Sequence, residues 1–387
     1  MLDRRRFLAA TAVASVGAAE AVRKPNVVYM LAGNWRAQAL PSAGDGNVIA
    51  PNLAKMAAEG LHFSRSYTAN PDSAAAHAAL FTGKFPHAVK VVREGMLLPS
   101  DEVTILQALA NGGYRTSGPD LPVEQALGFI EQNRDVPFYA SVALGTLQAP
   151  YLAPRQYVNQ YSLASISLRD NVPSANDSAA RKMALGFYAL CSALDAGVGR
   201  ILKKLEELKL AEDTIVVFTS DVGQLLGSHG ADAEGVPYEE LVGVPLLMRY
   251  PRRLKRGVQD DLLVSSVDHL PTLLGLCGVN LPDGVQGRNL SKLLTGADGD
   301  RPDSIYCEGQ LGTSAEWRMI VRGLDKMVIG RDLHVTHLFN LGIDSLERDN
   351  LAKNNAYVRL RDALMAAMKR WMVLTGDRVP YPLERRR

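Results

Sequence analysis

Tyr67–His87 reads YTANPDSAAAHAALFTGKFPH, and the interpretation of the whole chain turns on this stretch. Its second half predicts a short helix. Ser73 suits an N-cap, Ala74 to Phe81 are mostly strong helix formers, and Gly83 stands where a C-terminal stop belongs. A helix N-terminus offers unpaired N–H groups and partial positive charge, so the Ser73 hydroxyl is expected beside a ready anion site.

Around it, the chain has 387 residues, 47% of them apolar, enough for one large domain with a smaller one. A formal net charge of +2 argues against nucleic acid or an acidic membrane as the main partner. The basic end at Arg385-Arg386-Arg387 reads as a solvated tail. Cys191, Cys277 and Cys307 show no paired spacing, so neither a metal cluster nor a disulfide framework is indicated. Cys191 and Cys277 fall in helical apolar patterns and read as small core residues.

Residues Met1 to Ala21 read as an export leader: a charged start, an apolar run from Phe7 to Ala18, and a small-residue site at Ala19-Glu20-Ala21. Arg4-Arg5-Arg6-Phe7-Leu8 resembles a twin-arginine signal, which implies a bacterial periplasmic or secreted protein; an ordinary secretory leader is the simpler reading. The apolar run is too short to span a membrane, and no transmembrane segment is expected in the mature chain.

In chain order, Asn26–Ala32, Pro137–Leu144 and Thr214–Ser220 are short apolar runs that read as buried parallel strands. Helices are expected from Pro51 to Glu59, from Glu102 to Asn111, and from Ser178 to Leu208. The last carries an apolar stripe of Met183, Leu190, Leu194, Val198, Ile201, Leu202 and Leu205. A further strand is expected at Val244–Arg249. After about Ser304 the pattern changes to short alternating strands, SIYCEG, WRMIVRG and KMVIGR, then Leu338-Phe339-Asn340 and a helix over Ala356–Thr375.

Several of these segments, in order, resemble the sulfatase family. Ala78-Ala79-Leu80-Phe81-Thr82-Gly83-Lys84-Phe85-Pro86-His87 matches the second half of its signature and places Ser73 at the nucleophile position. KPNVVYMLAGN before it, APNLAKMAAEGLHFSRSYTANP, Pro237-Tyr238-Glu239-Glu240, and the run Val264–Gly296 extend the likeness. The resemblance implies an alkaline-phosphatase-like α/β fold: a mixed, largely parallel sheet sandwiched by helices, with a small C-terminal antiparallel sheet plus helix. The implied division is residues 1–21 as leader, 22–300 as the large domain and 301–387 as the small one.

The family's chemistry is implied only in fragments. Its Pro, Ser and Arg after the nucleophile are Ala75, Ala76 and His77 here, so conversion of Ser73 to formylglycine is not expected. The paired Asp residues that hold calcium in the family are Gly33 and Asn34, and the later pair keeps Asp221 but has Val222. Asn34 and Asp221 are thus the candidate metal ligands. A Lys-His segment is missing around Pro119-Asp120-Leu121-Pro122, Gln148 replaces a site His, and Glu234 replaces a Lys. Candidate catalytic residues are Ser73, His77 and His229. Ser73 is an N-cap, or a nucleophile with His77 as base oriented by Asp72 or Asp221. His229, in Gly227-Ser228-His229-Gly230, either hydrogen-bonds backbone or lines the cleft. Two His in the small domain, His334 and His337, are weak metal evidence.

Sulfate ester hydrolysis needs positive charge around its transition state, and losing one such contact costs on the order of 100-fold in rate. The expectation is therefore a degenerate family member, a pseudoenzyme that binds a sulfated small molecule or carbohydrate. The alternative is an ester hydrolase of sulfate or phosphate that uses Ser73, and a third reading is a poorly folding product of a damaged gene.

Overall fold

A computed structural model describes residues 24–230 and 235–381. The leader therefore lies outside the described residues, as does Glu234. The central strand Asn26–Gly33 is buried along all but its last residue. It pairs in parallel with Phe138–Thr146 on one side and Thr214–Ser220 on the other. Both faces of the sheet are covered, so these strands are continuously apolar rather than alternating. Arg115–Thr116 and Leu121–Pro122 add parallel edges beside Phe138–Thr146. On the opposite side the sheet continues through antiparallel Leu246–Arg249 to Leu61–Phe63 and Val258–Asp260, giving a mixed, largely parallel sheet.

One face is packed by the helix Asp177–Glu207, whose Val198, Ile201 and Leu205 are fully buried. Each such side chain stabilises the fold by roughly 1.5–3 kcal/mol relative to exposure. Met183, Leu190 and Leu194 of the expected stripe pack on the same core from partly buried positions. Among the described residues this is the one helix long and apolar enough to cross a membrane, and its apolar side is occupied by the core. The other face is packed by His269–Cys277, Ile105–Asn111 and part of Ser73–Thr82. Cys191, Cys277 and Cys307 are free and buried.

The helix expected from Glu102 starts later, at Ile105. Thr104 caps it, and the Gln107 side chain answers to the Thr104 backbone, a capping box that fixes the start three residues downstream. In the C-terminal part, Ser304–Gly309, Trp317–Arg322, Asp325–Gly330 and Val335–Asn340 form an antiparallel sheet in sequence order. The helix Val358–Thr375 covers it through Leu364, Ala367 and Met368.

Candidate functional site

Parallel pairing of Ala32 with Ser220 brings the carboxyl ends of two buried strands side by side, where open α/β sheets present their ligand sites. Asn34 follows at φ 62°, a left-handed conformation that Asn tolerates better than most residues. Its N–H donates to Asp221 Oδ1 at 3.0 Å, and the Val222 N–H donates to the same oxygen at 2.6 Å. The second oxygen, Oδ2, lies 3.5 Å from His77 Nε2. Burial pushes the Asp221 carboxyl up, but His77 and the two backbone donors outweigh it, and its pKa falls below the ordinary carboxylate value. For His77, desolvation pulls down while the Asp221 hydrogen bond and charge lift more strongly, so the imidazole is held above its ordinary value. Each residue thus favours the charged form of the other.

His77 reaches Asp221 from the helix Ser73–Thr82, and here the structure corrects the expected cap. Asp72, not Ser73, is the N-cap: its Oδ1 accepts from the N–H groups of Ala74 at 3.0 Å and Ala75 at 3.2 Å. A carboxylate satisfies these donors and also meets the positive end of the helix, which a neutral hydroxyl does less well. Ser73 becomes the first helical residue and is exposed. It shares a face with His77, but no hydrogen bond joins the two among the described residues. Gly83 ends the helix as expected, at φ 65° with its N–H on the Ala79 carbonyl.

Ser73 and His77 line a cavity of about 970 Å³ together with Asn34, Gln148 and Gln224. Asn70 and Gln310 supply further amides, Arg93 a guanidinium, Asp72 and Glu94 carboxylates, and Val222, Leu225 and Met183 an apolar wall. Gln148 arrives from the strand Phe138–Thr146, whose following Leu147 N–H bonds the Gly33 carbonyl at 2.8 Å. Gln224 Nε2 donates to the Tyr151 hydroxyl at 2.7 Å. Asn70, which the sequence reading passed over, is 1% exposed. Its Oδ1 accepts the Asp72 N–H at 2.9 Å, while Nδ2 is buried without a hydrogen-bond partner. A polar side chain inside a helix-entry loop was its only sequence signal.

The residues at the strand ends do not fit calcium. Such an ion takes six to eight oxygens. Here one Asp221 oxygen is spent on two N–H groups, the other faces His77, and the next residue is the buried Val222. At Gly33 a Cβ would meet Thr146 side-chain atoms at 2.9 Å, so a carboxylate there would require Thr146 to shift. The groups of His, Asp and Glu that do converge among the described residues lie elsewhere, at His87, Glu308 and Asp377 and at His229, Glu240 and Glu347. Each already contains cations. Arg318 Nη2 donates to Asp377 at 2.8 Å, and Lys326 Nζ stands 2.7 Å from Glu347.

His229 belongs to the second of these groups and lies outside the cavity wall. At φ 61° its N–H bonds the Asn171 carbonyl at 2.8 Å. Its ring stacks on Tyr238 with centroids 3.7 Å apart, and Nε2 lies 3.3 Å from Glu240 Oε2. Burial pushes the Glu240 carboxyl up, yet His229, Arg169 and Asn171 overcome this and bring it to about 2. Downstream, Leu121–Pro122 leads straight into the helix Val123–Gln132, so no Lys-His element enters the cavity from that side.

Residues 25–119 and 120–279 match the family described as Sulfatase, and residues 227–373 match that described as N-sulphoglucosamine sulphohydrolase, C-terminal. An ulvan-active sulfatase of Formosa agariphila is 30% identical over 336 residues, covering 71% of this chain and 66% of that protein, just under two thirds of its length. An N-acetylglucosamine-6-O-sulfatase of Bacteroides thetaiotaomicron is 23% identical over 90% of this chain and 86% of its own. In fold, the chain superposes with a TM-score of 0.82 on a protein solved with its substrate D-glucosamine-2-N,6-O-disulfate, at 19% identity, covering 94% of this chain and all of the other. Matched over most of its length by that family and carrying its sheet and motifs in order, this chain belongs to the sulfatase family.

Proposed function

We propose that the chain is an exported member of this family that holds a sulfated saccharide in the cavity beside Ser73 without cleaving its ester. The observation that carries this is the state of Asp221. Its oxygens are committed to the Asn34 and Val222 N–H groups and to His77, so they are not free to gather a metal ion where the strands end. Without that charge a developing sulfate transition state lacks its main electrostatic support. Binding needs less. The amides of Gln148, Gln224 and Gln310 suit saccharide hydroxyls, and the unpartnered Asn70 Nδ2 suits a sulfate or hydroxyl oxygen. Relatives that act on sulfated sugars support this class of ligand, and the Arg4-Arg5-Arg6 leader supports export.

A second reading rests on one contact. Ser73 is exposed at the cavity, His77 lies one turn along, and Asp221 stands behind His77, the order of a nucleophile, base and orienting carboxylate. Calorimetry with glucosamine 6-sulfate and an aryl sulfate turnover assay separate the two. The first reading expects binding that weakens about tenfold in Asn70→Asp, with turnover at the blank rate. Turnover that disappears in both Ser73→Ala and Asp221→Asn would establish the second.

A further inference from the structure

A second cavity, of about 450 Å³, is lined by Arg36, Arg65 and Arg169, with Asp45 and Glu239 also on its wall. We infer that it is a separate binding site for a small oxyanion, gripped by Arg36 and Arg65.

Arg36 follows the strand end by three residues and is 5% exposed. A buried guanidinium ordinarily faces a carboxylate, because an uncompensated charge in the interior is costly. Here none lies within ion-pair distance among the described residues. Arg36 Nη2 donates to the Tyr188 hydroxyl at 2.9 Å, and its plane lies 5.8 Å from the Phe187 ring centroid, while Nε is buried with no hydrogen-bond partner. The Tyr188 hydroxyl in turn donates to Asp45 at 2.7 Å, so that carboxylate meets Arg36 only through a phenol. The other charges on this wall are already matched: Arg169 to Glu240 at 3.0 Å, and Glu239 to Lys326 at 2.9 Å. Arg65 donates to the Gly323 carbonyl and has no carboxylate partner among the described residues.

Two neutral groups on the same wall also lack partners. The Ser66 hydroxyl is 2% exposed and unbonded, and Gln38 donates its Nε2 to the Glu239 carbonyl at 3.2 Å while its Oε1 is left buried and free. One guanidinium with a vacant donor, a second lining the same cavity, and a hydroxyl donor form a set that an oxyanion, with several acceptor oxygens, meets at more points than a single-atom chloride or a neutral ligand. The vacant acceptor Gln38 Oε1 remains for a hydroxyl next to that anion. The same chemistry can come as a free inorganic ion or as an oxyanion carried on a sugar.

The test is calorimetric titration of the full mature protein with sodium sulfate and with glucosamine 6-sulfate, each against sodium chloride at equal ionic strength. Arg36→Gln should weaken sulfate binding at least tenfold, Ser66→Ala should weaken it severalfold, and Arg93→Gln and His77→Gln, in the first cavity, should leave this event unchanged. Should Arg36→Gln not fold, Arg65→Gln and Ser66→Ala carry the same expectation. Equal affinity for the two ligands supports a site for the ion alone. Tighter binding of the sugar, reversed in Gln38→Leu, supports a saccharide. The inference is overturned by no binding beyond the chloride control, or by binding that survives the substitutions at Arg36, Arg65 and Ser66 and falls with Arg93→Gln.

Discussion

His77 and His87 lie ten residues apart in one motif, and each faces a carboxylate, yet their surroundings differ in kind. His87 is enclosed. Its Nδ1 lies 2.6 Å from Glu308 Oε2, its N–H donates to the other Glu308 oxygen at 2.9 Å, and Nε2 bonds the Thr375 carbonyl at 3.1 Å. Glu308 sits on the small antiparallel sheet, and Thr375 ends the C-terminal helix, so one side chain ties the signature to both. Arg318, Asp377 and Tyr306 complete a buried network around it. His77, by contrast, has 38% of its side chain exposed and, among the described residues, one charged partner, at 3.5 Å, with the Phe81 ring edge-on beside it. The part of the motif that holds the molecule together is densely satisfied, while the part beside the cavity is sparsely so. Scaffold and cavity therefore depend on different parts of the same motif: His77 on the helix Ser73–Thr82, and His87 beyond Gly83 in the short helix Pro86–Val89.

The largest expected effect breaks the denser end. His87→Ala leaves Glu308 buried with one charge partner fewer, and removing one member of a buried pair costs about 3–5 kcal/mol. Urea unfolding should show a loss of that size. His77→Ala, at a partly exposed pair, should cost far less. A loss at His87 no greater than at His77 would remove the contrast.

The next effect is a pH dependence. Burial pulls His87 down, but the charge and hydrogen bond of Glu308 lift it to about 9, above its ordinary 6.5. A raised folded-state value means the contribution is complete below about pH 6.5 and is lost as pH climbs through about 9. Melting temperature should therefore decline across that window. His87→Gln should be less stable at pH 6.5 and flatter above it, and an unchanged slope in the variant would assign the decline to other groups.

Much of this was legible beforehand. Asn26–Gly33 and Thr214–Ser220 are apolar without alternation, which specifies strands covered on both faces, and they deliver Asn34 and Asp221 to one place. Gln148 and Ser73 also reached one cavity, because motif spacing fixes where a strand or helix ends. What spacing does not carry is the direction of a side chain. His229 sits in a glycine-flanked loop that could turn either way, and the Tyr238 ring and Glu240 draw it away from the cavity. The His87 network was illegible for another reason: its members come from positions 87, 306, 308, 318 and 377, and no local pattern links them. Arg36 was hidden likewise, since its lack of a carboxylate is visible only once the fold has placed Tyr188 and Asp45 around it.

The smallest predicted effect decides what Ser73 is for. If its hydroxyl held the helix, Ser73→Ala would cost what a lost cap costs, about 1 kcal/mol. That role belongs to Asp72, which accepts two N–H groups, so Asp72→Ala should show the loss and Ser73→Ala should fall within about 0.5 kcal/mol of the parent. Paired urea midpoints measure both. The reverse ranking would return Ser73 to the cap and leave its exposed position at the cavity without meaning. The expected ranking makes Ser73 dispensable to the fold. Its effect on ligand affinity or turnover can then be read without a stability correction, and any such effect reports on the cavity alone.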